Sequence, residues 1–142
     1  ISEGIVKNGL NNIQLVPPVN RLKLLEYYNE TDMFLLQLND VSAFEKVLPS
    51  KIFDYGSFDK PILAGVKGVA NTFISEHLPS AHLFNPGDIS SVVNYIDTII
   101  ESGFPLIDNE TFTKKYSRNK IMHEMLNSML SSYYENDLFS GR

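Results

Sequence analysis

The chain contains no cysteine. That excludes disulfides and thiolate metal sites, and it is compatible with a reducing compartment. No uninterrupted apolar run approaches the roughly 20 residues that a membrane-spanning helix needs. The opening Ile1-Ser2-Glu3-Gly4 has neither an initiating methionine nor the pattern of a secretory signal. It leads to the expectation that the sequence starts inside a longer gene product. There is no Gly-x-Gly-x-x-Gly, no P-loop, no esterase elbow and no clustered Asp/Glu/His metal motif. Positive charge is in deficit, with a formal net charge of −5. This argues against nucleic acid as a partner, because phosphate backbones call for a basic face. A local anion site remains compatible with it.

What is present is an ordinary globular composition. With 43% hydrophobic and 20% charged residues over 142 positions, the chain falls outside the disordered class, and its length suits one domain. A segment at 1–12 reads as a short helix or loop. Ile13-Gln14-Leu15-Val16 reads as a strand stopped by Pro17-Pro18. Asn20 is placed to cap a helix that runs to about Glu30 with Leu22, Leu24, Leu25, Tyr27 and Tyr28 on a broad face. The near-continuous apolar run 33–38 predicts a strand covered on both sides, as in parallel sheets.

After a loop to Pro49, a helix is expected over about 50–58, then a strand at 61–65. A helix at 69–78, opened by Lys67-Gly68, follows. Next come a strand at 81–84, turn chemistry at Asn85-Pro86-Gly87-Asp88, and a helix over 89–102. Four strand–helix alternations predict an α/β fold: a Rossmann-like parallel sheet with flanking helices. Ligands of such sheets sit outside the carboxyl ends of the strands. Beyond Gly103-Phe104-Pro105 one long helix is expected over 111–134. Ile121, Met122, Met125, Leu126, Met129, Leu130, Tyr133 and Tyr134 form its stripe. Either that stripe packs on this domain's own sheet or part of it docks onto a domain outside the sequence. The domain division is accordingly 1–105 for the Rossmann-like part, lacking its first strands, and 106–142 for the helical tail.

The stretch Pro49-Ser50-Lys51-Ile52-Phe53-Asp54 carries the most chemical information. It joins the end of an apolar strand to a helix start, where backbone N–H groups and the positive end of the dipole favour phosphate. Ser50 can cap the helix or turn its hydroxyl to an anion. Lys51 adds a positive charge. Asp54, about one turn in, is an acceptor-only carboxylate able to take hydrogen bonds from two ribose hydroxyls. Taken singly, each has a plainer reading: a cap, a solvated charge, and a carboxylate favourable in a first helical turn. Together, in this strand–loop–helix setting, they read as a nucleoside-diphosphate site. His77, His82 and His123 are scattered and read as structural or solvent-facing. Lys114, Lys115, Arg118 and Lys120 read as a solvated face, with docking to an anionic membrane surface as the sharper reading.

These segments resemble the carboxyl-terminal, donor-binding domain of GT-B glycosyltransferases, family 4. The resemblance is carried, in order, by Leu10-Asn11-Asn12-Ile13 with Pro17-Pro18-Val19, by Asp32 to Leu36, by Pro49 to Ala64, by Val66-Lys67-Gly68-Val69 and by Asn85-Pro86-Gly87-Asp88. The subgroup with a proline-serine-lysine helix start, surface-polysaccharide transferases using amino-sugar donors, is the most similar.

The resemblance implies that Asp54 holds the donor ribose and that Ser50 and Lys51 face the diphosphate. Phe44, Pro49, Lys67 and Gly68 would belong to the donor-facing loops. Many family members carry a glutamate where Val47 stands; Glu45 is the nearest acid and takes the catalytic role. Asp59 replaces a family glycine and keeps the turn by tolerating left-handed geometry, while Gly56 lies mid-helix. The resemblance further implies a UDP-linked sugar donor and a saccharide or lipid-linked acceptor. A separate amino-terminal domain would complete the site, with no metal or other cofactor. The location would be cytoplasmic, with peripheral contact at the inner face of the membrane. The alternative is a non-catalytic α/β nucleotide-binding or protein-interaction module that kept the fold and lost the site.

Overall fold

The computed structural model describes the backbone of residues 1–140 and side chains as far as Tyr133. The chain divides into two compact units, Ile1–Thr31 and Asp32–Arg142.

In the first unit, helix α1 (Ser2–Lys7) has no buried residue. Helix α2 (Arg21–Glu30) starts as expected, with the Lys23 backbone N–H donating to Asn20 Oδ1 at 3.0 Å. The strand expected at 13–16 does not form. Ile13, Leu15 and Val16 are 45%, 53% and 44% exposed, and the segment has no strand partner. An apolar run becomes a strand only where a neighbour satisfies its backbone. Pro17 and Pro18 lack N–H groups and suit extended, unladdered chain instead.

The second unit is the α/β fold. Its parallel sheet has strands β1 (Phe34–Gln37), β2 (Ile62–Gly65) and β3 (His82–Phe84) in that order. Strand β2 is buried along its whole length, as a central parallel strand flanked on both faces must be. Strand β1 is not: Phe34 and Leu36 are buried, while Leu35 and Gln37 are exposed. The expectation of cover on both sides fails because β1 is an edge strand.

On one face of the sheet, helix α3 (Lys51–Tyr55) brings Tyr55 into a stack on Phe34, centroids 4.5 Å apart, with Phe58 edge-on at 5.7 Å. On the other, the first turn of α5 (Ile89–Ser102) stands beside Phe84. It leaves a cavity of about 120 Å³ lined by Leu35, Gln37, Phe84, Ile89 and Val92. Asp88 caps α5, its Oδ1 accepting from the Ser91 backbone N–H at 3.0 Å, as the turn chemistry predicts.

Helix α3 is shorter than expected and ends at Gly56. Gly56 is therefore the helix's carboxyl cap rather than a mid-helix residue. A Cβ there would strike the ring of Phe112. Phe112 belongs to helix α6 (Glu110–Tyr116), where it is 3% exposed. It packs in a ring cluster with Phe53 of α3, Phe73 of helix α4 (Gly68–His77), and Tyr116. Asp59 does not adopt left-handed geometry, since no non-glycine residue has positive φ. Its carboxylate instead accepts the Asn109 backbone N–H at 2.8 Å, and buried Asn109 donates Nδ2–H to the Phe58 carbonyl at 2.7 Å. These two bonds pin the connector between α5 and α6 to the start of β2.

The single helix expected over 111–134 is two helices, α6 and α7 (Arg118–Ser140). Ser117 breaks them with φ −61° and ψ 138°, and the Lys120 backbone N–H donates to its Oγ at 3.3 Å. Serine is a preferred residue at a helix start. The stripe on α7 does not pack on the sheet: Ile121 through Leu130 and Tyr133 are 44–63% exposed. The side chain of Tyr134 lies outside the described residues. No helix among the described residues is long and apolar enough to cross a membrane.

Candidate functional site

The carboxyl ends of all three strands converge on one cleft. Strand β1 runs out through Leu38, Asn39 and Asp40 into a 3-10 turn at Ser42–Lys46. Strand β2 runs into Val66 and Lys67, directly before α4. Strand β3 ends before Pro86. The cleft between them is lined by Leu38, Asp40, Phe44, Glu45, Lys67 and Pro86, among others. Its free volume is about 10 Å³, room for about one water molecule.

Two contacts fix its shape. Lys67 Nζ reaches Asp40 Oδ1 at 2.6 Å, bridging the ends of β1 and β2. Both side chains are partly exposed, at 37% and 57%. Such a pair contributes only about 0–1 kcal/mol, so Lys67 is released at little cost to an anion of higher charge. The second contact is backbone. Gly68 has φ +60°, and a Cβ on it would collide with the Glu45 carbonyl oxygen. Only glycine combines that left-handed conformation with so close an approach. The Gly68 requirement thus presses the 3-10 turn against the start of α4.

Of the residues singled out from the sequence, Phe44, Glu45, Lys67 and Gly68 meet at this cleft. Phe44 and Lys67 are half-buried and Glu45 is exposed. Ser50, Lys51 and Asp54 sit instead on or beside α3 and do not line the cleft. Ser50 has helical φ −60° and ψ −25°, and its side chain makes no capping hydrogen bond. The capping reading fails because a capping side chain needs an extended backbone to fold back on the first turn. Lys51 is exposed and Asp54 half-buried. The Asp54 backbone carbonyl accepts from Ser57 Oγ at 2.6 Å. Pro49 is half-buried, and its carbonyl accepts the Ile52 backbone N–H at 3.1 Å.

Sequence reasoning missed Asp40, the partner of Lys67, together with Asn39 and Pro86. The signal was available for Asp40 and Asn39: polar residues directly beyond the carboxyl end of an apolar parallel strand occupy the ligand end of such sheets.

The histidines lie elsewhere. His77 is edge-on to Phe73 and Tyr116 at centroid distances of 4.7 and 5.5 Å. His82 stacks on Tyr95 at 4.0 Å and has Nε2 at 3.3 Å from Ser91 Oγ, while burial raises the Tyr95 phenol above its ordinary pKa. His123 is exposed on α7. In the basic group, Lys114 pairs with Glu110 at 2.8 Å, Lys120 approaches Glu124 at 3.7 Å, and Lys115 lies over the Tyr116 ring at 5.3 Å. Among the described residues, no group of three or more His, Asp or Glu is placed to hold a metal.

Comparison with known proteins finds no matching protein-family model, no matching curated protein and no matching solved structure.

Proposed function

We propose that this chain is the donor-binding part of a glycosyltransferase of polysaccharide or lipopolysaccharide assembly. Its ligand would be a nucleoside-diphosphate sugar, UDP-linked. The observation that carries the reading is the convergence of Phe44, Glu45, Lys67 and Gly68 at the carboxyl edge of a parallel sheet, the edge where open α/β sheets take their ligands.

In this reading Lys67 exchanges Asp40 for the donor diphosphate. The first turn of α4 adds N–H groups aimed the same way, and the charge that develops on the leaving diphosphate is stabilised without a metal. The family resemblance adds Ser50 and Lys51 for the diphosphate and Asp54 for the ribose, all from α3 and outside the residues that line the cleft. Glu45 faces the sugar. Because the cleft holds no more than a water, donor binding displaces the 3-10 turn at Ser42–Lys46. A second domain supplies the acceptor, a saccharide or a lipid-linked one. In this reading the enzyme works in the cytoplasm, with peripheral contact at the inner membrane face. The closed cleft and the Asp40–Lys67 pair favour the second reading, an α/β interaction module without catalysis.

Calorimetry with UDP and UDP-N-acetylglucosamine separates the two. The donor reading expects binding that Asp54→Ala and Lys67→Ala each weaken by about 1–3 kcal/mol, the range for a hydrogen bond to a charged group. Absence of nucleotide binding, or variants that bind as wild type does, overturns it in favour of the interaction module.

A further inference from the structure

The amino-terminal unit holds a chemical feature apart from the cleft. Of the chain's asparagines, Asn8 alone is followed by glycine. The fold explains why glycine stands there. Helix α1 ends in a Schellman motif: the Gly9 N–H donates to the Val6 carbonyl at 3.2 Å and the Leu10 N–H to the Ile5 carbonyl at 3.0 Å. The motif needs a left-handed residue, and Gly9 has φ +61°. Asn8 is the cap residue before it, and its Nδ2 donates to the Gly4 carbonyl at 2.8 Å.

The same glycine leaves Asn8 open to attack from within the chain. The backbone nitrogen of a following residue reaches an asparagine's side-chain carbonyl carbon unless its own side chain obstructs the approach, and glycine has none. Both residues are exposed, and a Cβ on Gly9 would meet no atom within 4 Å. What holds the turn is the Schellman pair and the Asn8 side-chain bond. Helix α1 has six residues and buries none. It lacks the packing that keeps short helices formed, so its last turn is among the first places to open.

Asparagines of the second unit show the contrast. Asn71 and Asn94 lie within α4 and α5, where the next N–H is held in the helix ladder. Asn85 precedes Pro86, whose nitrogen has no hydrogen to give up. Asn109 is 4% exposed.

We propose that Asn8 is a site of spontaneous deamidation and backbone isomerisation, with water as the co-reactant. The Gly9 backbone nitrogen gives up its proton and bonds to Asn8 Cγ. The side-chain amide nitrogen takes up a proton and leaves as ammonia, and a succinimide ring then spans the two residues. Water adds to one carbonyl of the ring and breaks its bond to nitrogen. Cleavage at Cγ restores the original backbone and leaves aspartate. Cleavage at the main-chain carbonyl carbon leaves isoaspartate, with the chain running through Cβ and Cγ. One water enters and one ammonia departs, with no change of oxidation state.

Both products undo the cap. A carboxylate at position 8 faces the Gly4 carbonyl, acceptor against acceptor, at the negative end of the helix dipole. Isoaspartate also adds a carbon to the backbone, which shifts Gly9 and Leu10 away from the carbonyls they bond. The loss is one-way, because water does not restore the amide.

The test is to incubate the full 142-residue chain at neutral pH and physiological temperature and to digest it with pepsin in acid. Its peptides are resolved by chromatography and mass spectrometry against aspartyl and isoaspartyl standards. The expected result is conversion at Asn8 at least about tenfold faster than at Asn11 or Asn39, with isoaspartate among the products. Gly9→Ala should slow it at least about tenfold, since the methyl group crowds the attacking nitrogen. Alanine strains the left-handed turn, and a loosened turn would speed the reaction, so slowing does not come from damage to α1. Asn8→Asp reproduces one product and should speed amide hydrogen exchange at Gly9 and Leu10. An Asn8 still intact when Asn11 or Asn39 has converted, aspartate formed without isoaspartate, or a Gly9→Ala chain that converts like wild type overturns the proposal. Unchanged exchange in Asn8→Asp overturns the loss of the cap.

Discussion

Helices α6 and α7 are neighbours in sequence, separated by Ser117 alone, and both carry apolar residues at four-residue spacing. Their fates differ. Phe112 of α6 is 3% exposed, and its i+4 neighbour Tyr116 sits among Phe53, Phe73 and His77. On α7 no described side chain is buried. The apolar count does not separate them. What does is the company: α3 and α4 present Phe53 and Phe73 to α6, while the apolar rows of α7 from Ile121 to Leu130 stay exposed. Spacing specifies that a face will be covered, while tertiary neighbours decide by what.

The sharpest way to break that contrast is to remove one residue from each helix. Phe112→Ala should destabilise the fold by about 3–5 kcal/mol, the range for deleting a buried aromatic, read as a shift in the urea midpoint at constant m-value. A loss below 1 kcal/mol would mean the ring cluster contributes little to the fold. The middle case is Gly56→Ala. The added methyl meets a Phe112 ring held in place by its neighbours, so overpacking should cost about 1–3 kcal/mol, although helix propensity alone favours alanine. A neutral or stabilising result would show that Phe112 can shift. The smallest effect is expected for Met125→Ala, within about 0.5 kcal/mol in dilute solution, as for an exposed position away from packing. A larger loss in the same denaturation assay would place α7 against the body.

The sequence made the sheet readable where burial was complete. Ile62 to Gly65 is apolar and turn-bounded, and it is a fully buried central strand. Asn20 and Asp88 announced two helix starts through side chains that do cap. The strand expected at Ile13 to Val16 failed on a property no local pattern holds, the presence of a partner. The exposed side of Leu35 failed for the same kind of reason, since edge and centre are assigned by topology.

The division between α6 and α7 was legible in principle, because Ser117 is a capping residue that the uninterrupted stripe concealed. At the cleft, Lys67 and Gly68 read from the residues only as a helix start after an apolar strand, and it was the family resemblance that made them a donor-facing loop. The Asp40 pair was not legible, because it joins positions 27 apart along the chain. Ser50, Lys51 and Asp54 were grouped by their spacing, and the structure keeps them on or beside one short helix while the cleft forms from other loops.

The break at Ser117 also bears on the order of events during synthesis. The rings of the cluster formed by α3, α4 and α6 precede it, and so does each strand among the described residues. Chains fold from the amino terminus as they emerge, so the sheet and its aromatic cover can close before α7 is made. Helix α7 is thereby an addition to a sheet that can already have closed, and the sheet's folding need not wait for it.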